Sequence, residues 1–282
     1  VLCAGLCTPV SAAELPADTT TAVETTAEET SEEAAAVEAT TEAEETTTEE
    51  DVVTEETETV AEDATQTDAG LAEDTEEVDA ANSFEWSGSI ITGYKGTGGA
   101  VTIPSTCTGI GRYAFENCTG ITSVTIPGSV KTMGYCAFSG CTGITKLILN
   151  SGIKEIGENA FVGCIGIRNV TIPSTVTTIY DDAFRNCSGL TKVTINNGVK
   201  SIGARAFKYT ALTSVSVPNS VTTLGVGVFA ECTGLRTATI GTGVTGIPYY
   251  AFENCTALST VNLNCTKATY IDRLAFRNTA LT

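Results

Sequence analysis

A phenylalanine returns about every 23 residues. Phe115, Phe138, Phe161, Phe184, Phe207, Phe229, Phe252 and Phe276 follow at spacings of 23, 23, 23, 23, 22, 23 and 24. Ala precedes seven of them and Val228 the other. Five residues upstream stand Ile110, Met133, Ile156, Ile179, Ile202, Leu224, Ile247 and Ile271. Eleven residues downstream come Ile126, Leu149, Ile172, Ile195, Ile240 and Leu263, with Val217 the equivalent after a one-residue deletion. Val124, Leu147, Val170, Val193, Val215, Ala238 and Val261 lie two residues before those. The apolar residues are mostly β-branched and alternate, which predicts short strands rather than helices. Pro127, Pro173 and Pro218, or Asn150, Asn196 and Asn264, break the longer run. Gly111, Gly134, Gly157, Gly203 and Gly225 mark a second tight corner. One such unit cannot bury its own apolar side, whereas stacked units bury a continuous column. The expected fold is a β-rich solenoid of about eight coils, spanning on the order of 40 Å at a strand spacing of ~4.8 Å.

The repeat occupies only part of the chain. Of 282 residues, 34 are acidic and 15 basic, giving a formal charge of −19. Residues 1–82 hold 25 of the acidic residues and no basic one. Residues 83–282 hold the other 9 and all 15 basic residues, so they carry +6. The boundaries expected from composition are a signal-peptide remnant at 1–12, an acidic segment at 13–82, an N-terminal cap and leading strand at 83–109, and the solenoid at 110–282. Val10-Ser11-Ala12 resembles a secretory cleavage pattern, which implies a secreted or cell-surface location. A lipoprotein is disfavoured because Leu6 precedes Cys7. Residues 13–82 are low-complexity Thr, Glu and Ala, with no aromatic before Phe84. High like-sign charge without apolar area predicts disorder. A stalk with candidate O-glycosylation sites is one reading, a merely solubilising tail the other. No stretch reaches the ~18–20 apolar residues of a membrane span. The chain stops inside a repeat, which reads as truncation of the solenoid.

Chemistry is sparse. There is no His, so the commonest general acid/base and metal ligand is missing. Of 11 Cys, six stand three residues after the repeat Phe: Cys118, Cys141, Cys164, Cys187, Cys232 and Cys255. Thr210 and Thr279 interrupt this ladder. Side chains stacked in parallel are poorly placed for disulfides, so buried free thiols are expected. Cys136-x4-Cys141 without His is weak as a zinc site. Asp181-Asp182 reads as a solvated turn. Asn117, Asn169, Asn186, Asn254 and Asn264 head Asn-x-Ser/Thr triplets. Those at 117, 186 and 254 arise because the repeat itself reads Asn-Cys-Thr/Ser. No catalytic residue, metal or cofactor is implied, and the chain is not expected to be an enzyme.

The pattern Ile-Gly-x-x-Ala-Phe-x-x-Cys-Thr-x-Leu-x-x-Val-x-Ile-Pro resembles the BspA-type leucine-rich repeat of bacterial surface proteins. The match runs from about Ile90 to Thr282, and the period lies within the ~20–29 residues of leucine-rich repeats. The lead-in Ile91 to Pro104 resembles the family's N-terminal start. The resemblance implies a secreted or surface protein, with adhesion to host matrix or other cells as the expected role. Free thiols in a secreted chain suit the anaerobic habitat that the resemblance also implies.

Alternation in the longer run turns two columns outward. One is Ser123, Lys146, Asn169, Lys192, Ser214, Thr237 and Thr260; the next is Thr125, Ile148, Thr171, Thr194, Ser216, Thr239 and Asn262. Lys146, Arg168, Lys192 and Arg236, with Thr125, Thr171, Thr194 and Thr239, form a candidate docking face. Its expected partner is a surface protein or glycan of a host or neighbouring cell. An ordinary solvated strand face is the competing reading. The alternative function is a recognition or spacer module of a larger secreted enzyme. Nucleic acid is not an expected partner, because no dense basic patch is present. Ice binding is disfavoured, since Lys146, Ile148 and Lys192 interrupt the Thr columns.

Overall fold

The structure is a computed structural model that describes residues 83–282. The expected signal-peptide remnant and acidic segment lie outside the described residues. The body opens with a hairpin of β1 (Phe84–Ser87) and β2 (Ile90–Tyr94), turning at Gly88, followed by β3 (Gly99–Thr102). Each coil then contributes a short strand and a longer one, except the last, where Ile247 makes only an isolated bridge to Ile271. These are β4 (Gly109–Ile110) and β5 (Ile121–Ile126), then β6 (Thr132–Met133) and β7 (Lys146–Leu149). β8 (Glu155–Ile156) and β9 (Asn169–Ile172) follow, then β10 (Thr178–Ile179) and β11 (Lys192–Ile195). Last come β12 (Ser201–Ile202), β13 (Ser214–Val217), β14 (Thr223–Leu224), β15 (Thr237–Ile240) and β16 (Thr260–Leu263).

Short strands pair only with short ones and join the hairpin in an eight-stranded sheet. The longer strands form ladders β3-β5-β7, β9-β11 and β13-β15-β16. Apart from the hairpin, all these pairs are parallel, and apart from a shift at Gly99-Ala100 in β3 they keep the repeat's register: Lys192 lies beside Asn169, and Thr237 beside Ser214. The body is therefore a solenoid of about eight coils, each about 23 residues after the last.

The core is one column of side chains per repeat position. The first seven repeat phenylalanines are fully buried. Phe115 and Phe138 stack at 4.5 Å between ring centroids; later pairs stand at 5.2–5.6 Å with planes within 18°. That separation is close to the strand spacing of ~4.8 Å, so coil pairing itself holds the rings face to face. Tyr94 continues the stack beyond Phe115 at 5.2 Å, and Phe84 packs edge-on against Phe115 at 6.1 Å. The hairpin thus covers the first ring, which the repeat leaves without a neighbour.

The chain around each Phe alternates hand. All residues two before and two after a repeat Phe have positive φ. The first column runs Tyr113, Cys136, Asn159, Asp182, Arg205, Gly227, Tyr250 and Leu274; the second contains Asn117, Asn186, Asn254 and Asn278, with Gly140 and Gly163. Asn and Gly tolerate this region at least cost, whereas other L-residues pay on the order of 1 kcal/mol. The alternation points successive odd N–H groups along the solenoid: Tyr113, Phe115 and Asn117 donate to the carbonyls of Tyr135, Ala137 and Ser139 in the next coil. Gly134 has a different reason. Its φ is ordinary, but a Cβ would stand 2.7 Å from the backbone of Arg112 and Gly111, so the corner needs glycine for close approach.

Candidate functional site

Alternation in the longer strands sends Val170 and Ile172, or Val193 and Ile195, into the core and leaves Asn169, Thr171, Lys192 and Thr194 exposed. Lys146 is exposed on β7, beside Ser123 in the ladder. Thr125 and Thr239 are half-buried on β5 and β15. Arg168 and Arg236 are exposed but precede β9 and β15 by one residue, so they belong to the corner rather than the strands. Between β9 and β11 lies a shallow groove of about 330 Å³, lined by Asn169, Thr171, Thr191, Lys192 and Thr194.

Corner threonines serve the fold. Thr145 Oγ1 donates to the Thr122 carbonyl at 3.2 Å and Thr191 Oγ1 to that of Arg168 at 3.1 Å, tying each coil to the one before. At the opposite corner Thr177 and Thr222 donate to Lys154 and Lys200 in the same way. That corner exposes Lys131, Lys154 and Lys200, one residue before β6, β8 and β12. Sequence reasoning missed these three, although their recurrence at one repeat position was the available signal.

The cysteine ladder is a hydrogen-bond ladder. Cys141, Cys164, Cys187, Cys232 and Cys255 are buried free thiols. Each donates to the carbonyl of the phenylalanine in the preceding coil, at 2.9–3.2 Å. Burial pushes the thiols of Cys141 and Cys164 well above the ordinary range, and that of Cys187 up to about 12. They stay protonated at neutral pH, as donors must, and are poor nucleophiles. Thr210 and Thr279 hydroxyls donate instead to Phe207 and Phe276 of their own coil, both at 2.9 Å.

Asp182 corrects the sequence expectation of a solvated turn. It is 5 % exposed, and its carboxylate takes two bonds from Arg205 at 3.0 and 2.6 Å. Arg185 approaches the same carboxylate at 3.6 Å. Asp181 accepts from the Ala204 N–H at 2.8 Å. The Asp-Asp pair therefore joins two coils.

Around the phenylalanine turns lie several tyrosines, Tyr113 exposed and Tyr135 half-buried. Tyr113 and Tyr135 meet edge-on at 5.4 Å, with Arg112 over the Tyr135 ring. Tyr180 and Tyr209 are exposed on the same arc. No helix among the described residues is long and apolar enough to cross a membrane.

The sequence matches the BspA-type leucine-rich repeat region over residues 98–200 and 154–282, in six copies. Among solved structures, it is similar to a leucine-rich repeat protein of T. pallidum: 26% identity, 68% of this chain and 84% of that one covered, TM-score 0.52. It is also similar to a leucine-rich cell surface protein of Faecalibacterium prausnitzii A2-165: 26% identity, 65% and 71% covered, TM-score 0.44. No curated protein matches.

Proposed function

The chain belongs to the BspA-type leucine-rich repeat family, and on that premise we propose that it is a non-catalytic, secreted or cell-surface protein that attaches to surface protein or glycan of a host or neighbouring cell. The carrying observation is the strand face. It presents Ser123, Lys146, Asn169, Lys192, Thr237 and Thr260 in one row, although the core fixes only the residues between them. Such a face is ordered by backbone pairing, because each of its strands pairs in parallel with the same strand of at least one neighbouring coil. Binding therefore costs little ordering entropy. The cleavage-like Val10-Ser11-Ala12 supports export. Attachment of the labelled full chain to cultured host cells and to coated extracellular matrix tests the reading. The chain should bind saturably, and K146E/K192E/R236E should weaken attachment. Attachment that is absent, or unchanged by this triple variant, overturns the assignment to the strand face.

A further inference from the structure

Charge is distributed unevenly around the coil. Each coil divides into a strand arc and a phenylalanine arc. The strand arc comprises residues 119–131, 142–154, 165–177, 188–200, 211–222, 233–245 and 256–269. It holds eight basic residues and no acidic one. They are the strand lysines Lys146 and Lys192, the arginines of one corner, the three lysines of the other, and Lys267. All eight are exposed. The phenylalanine arc, which from residue 110 onward includes the short strands, holds eight of the nine acidic residues of 83–282, with six basic ones; one of the eight, Glu155 on β8, directly follows Lys154. The ion pairs follow this division. Arg185 and Arg205 face Asp182, and Arg277 faces Glu253, all on the phenylalanine arc. Among the described residues, no ion pair involves a cation of the strand arc.

Sparse net charge therefore conceals a one-sided field. Lys146, Arg168 and Lys192 occupy three successive coils, and Arg236 follows two coils later. At ~4.8 Å per coil this row spans roughly 20 Å. That is longer than the Debye length of ~8 Å at physiological salt, so a ligand must lie along the row to engage all of it.

We propose that the strand arc binds an acidic polysaccharide, one carrying carboxylate or sulfate groups along its length. This rests on the strand face being the attachment surface. Between the cations stand Ser, Thr and Asn side chains, which exchange hydrogen bonds with sugar hydroxyls. The coil spacing is comparable to the length of one pyranose ring, so successive coils offer successive sugars equivalent contacts. The groove at Asn169, Thr171, Lys192 and Thr194 lies in the middle of the row. The other polyanions fit less well. A protein partner draws most affinity from aromatic or apolar anchors in desolvated pockets. Single-stranded nucleic acid needs aromatic stacking platforms. The strand arc contains no aromatic residue, and its exposed large apolar side chains are single: Ile165 at a corner and Leu263 in the last coil. The tyrosines that could serve either partner lie on the opposite arc.

The test uses the full chain against heparin (sulfated) and polygalacturonate (carboxylated), with dextran as the neutral control. Binding to one or both acidic polymers but not to dextran is expected, weakening about tenfold or more between 50 and 200 mM salt, as counterion release requires. K146E/K192E/R236E should lower affinity at least about tenfold, and the gentler K146Q/K192Q/R236Q should lower it less; both should retain the wild-type circular dichroism spectrum. K208E/R273E, on the phenylalanine arc, should change it less than about twofold. Failure to bind either polymer at 50 mM salt overturns the proposal, as does an equal loss in K208E/R273E. Tighter binding of polyglutamate or of poly-dT overturns it in favour of an acidic protein or of nucleic acid. Cell attachment that depends on Lys146, Lys192 and Arg236 without polysaccharide binding removes the ligand class and leaves the attachment function. Polysaccharide binding without cell attachment does the reverse.

Discussion

Phe184→Ala tests whether the aromatic column holds the coils together. Phe184 is fully buried, 5.2 Å from the Phe161 ring and 5.4 Å from that of Phe207, nearly parallel to both. A buried Phe removes roughly 200 Å² from water. At ~25 cal/mol per Å² that is about 5 kcal/mol for the whole side chain. Alanine keeps a fraction of it, and the rigid neighbours cannot close the gap because backbone pairing fixes the coil spacing. The expected loss is about 4 kcal/mol, toward the upper half of measured Phe→Ala costs. Phe276 is the control, being half-buried with one stacking partner, Phe252, at 5.3 Å. Phe276→Ala should cost about 1–2 kcal/mol, since half the contacts are lost and the site opens to water. Urea unfolding followed by far-ultraviolet circular dichroism gives the totals. Amide exchange locates them: coil coupling is nearest-neighbour, so protection should fall first in the coils of Phe161, Phe184 and Phe207. A loss below about 1.5 kcal/mol for Phe184→Ala, or an equal loss for Phe276→Ala, would refute the reasoning, because the column would then be filler rather than the coupling between coils.

Three further perturbations test other parts of the scaffold. Gly157→Ala places a Cβ against the Met133 carbonyl and should lower the urea midpoint clearly, whereas Gly163→Asn, in a column that already accepts Asn, should leave it nearly unchanged; similar effects from the two would dismiss the assignment of separate roles. Stability should fall on the alkaline side. Above about pH 9 the unfolded thiols ionise while the buried Cys141, Cys164 and Cys187 keep their protons, so the unfolded state binds fewer protons. Each such thiol should remove about 1.4 kcal/mol per pH unit up to its native pKa, which for Cys187 is about 12; a flat profile in urea titrations between pH 9 and 11 would contradict it. Arg205→Met leaves the buried Asp182 with the more distant Arg185 and should cost about 2 kcal/mol by thermal unfolding, discounted from a fully buried pair because the Arg205 side chain is 43% exposed; no change in Tm would mean that water replaces the guanidinium.

The strands were legible because burial is periodic. In Leu190-Thr191-Lys192-Val193-Thr194-Ile195 every inward position is apolar and every outward one polar, and the coil count followed from the spacing of Phe115 to Phe276. The phenylalanine turns were less legible. Asn117, Asn186 and Asn254 read as by-products of an Asn-Cys-Thr/Ser repeat, yet Asn is there because its φ is positive. The companion column, two residues before each Phe, gave no signal, since Tyr113, Cys136, Asp182 and Arg205 share no chemistry; the longitudinal hydrogen bonds impose the conformation whatever the side chain. Asp182 was misread for the same reason. Its partner Arg205 is 23 residues away and is adjacent only because the coils stack. Five of the six ladder thiols are buried as expected and Cys118, in the first coil, is half-buried; the acceptors of those five lie 25 or 26 residues away in the preceding coil and do not show in one unit.

Stacking also explains why the candidate site could be only half read. A solenoid turns sequence recurrence into spatial rows, so the residues that meet are those at one repeat position. Lys131, Lys154 and Lys200 are 23 and 46 residues apart, yet they line one corner. Read along the chain, the body's charges are scattered and the net value is small. Read down the repeat positions, the charges of the strand arc are all basic and most carboxylates stand around the phenylalanine turns, where Asp182 and Glu253 find their arginines; Glu155, on β8 beside Lys154, is an exception. The core does not require this division, because every cation of the strand arc is exposed and none joins two coils by an ion pair. The carboxylates of Asp182 and Glu253 pair with arginines of the next coil, whereas among the described residues no cation of the strand arc meets a carboxylate. The separation makes the two roles independent: removing strand-arc cations should alter binding while leaving the unfolding midpoint nearly unchanged, and removing Arg205 should do the opposite.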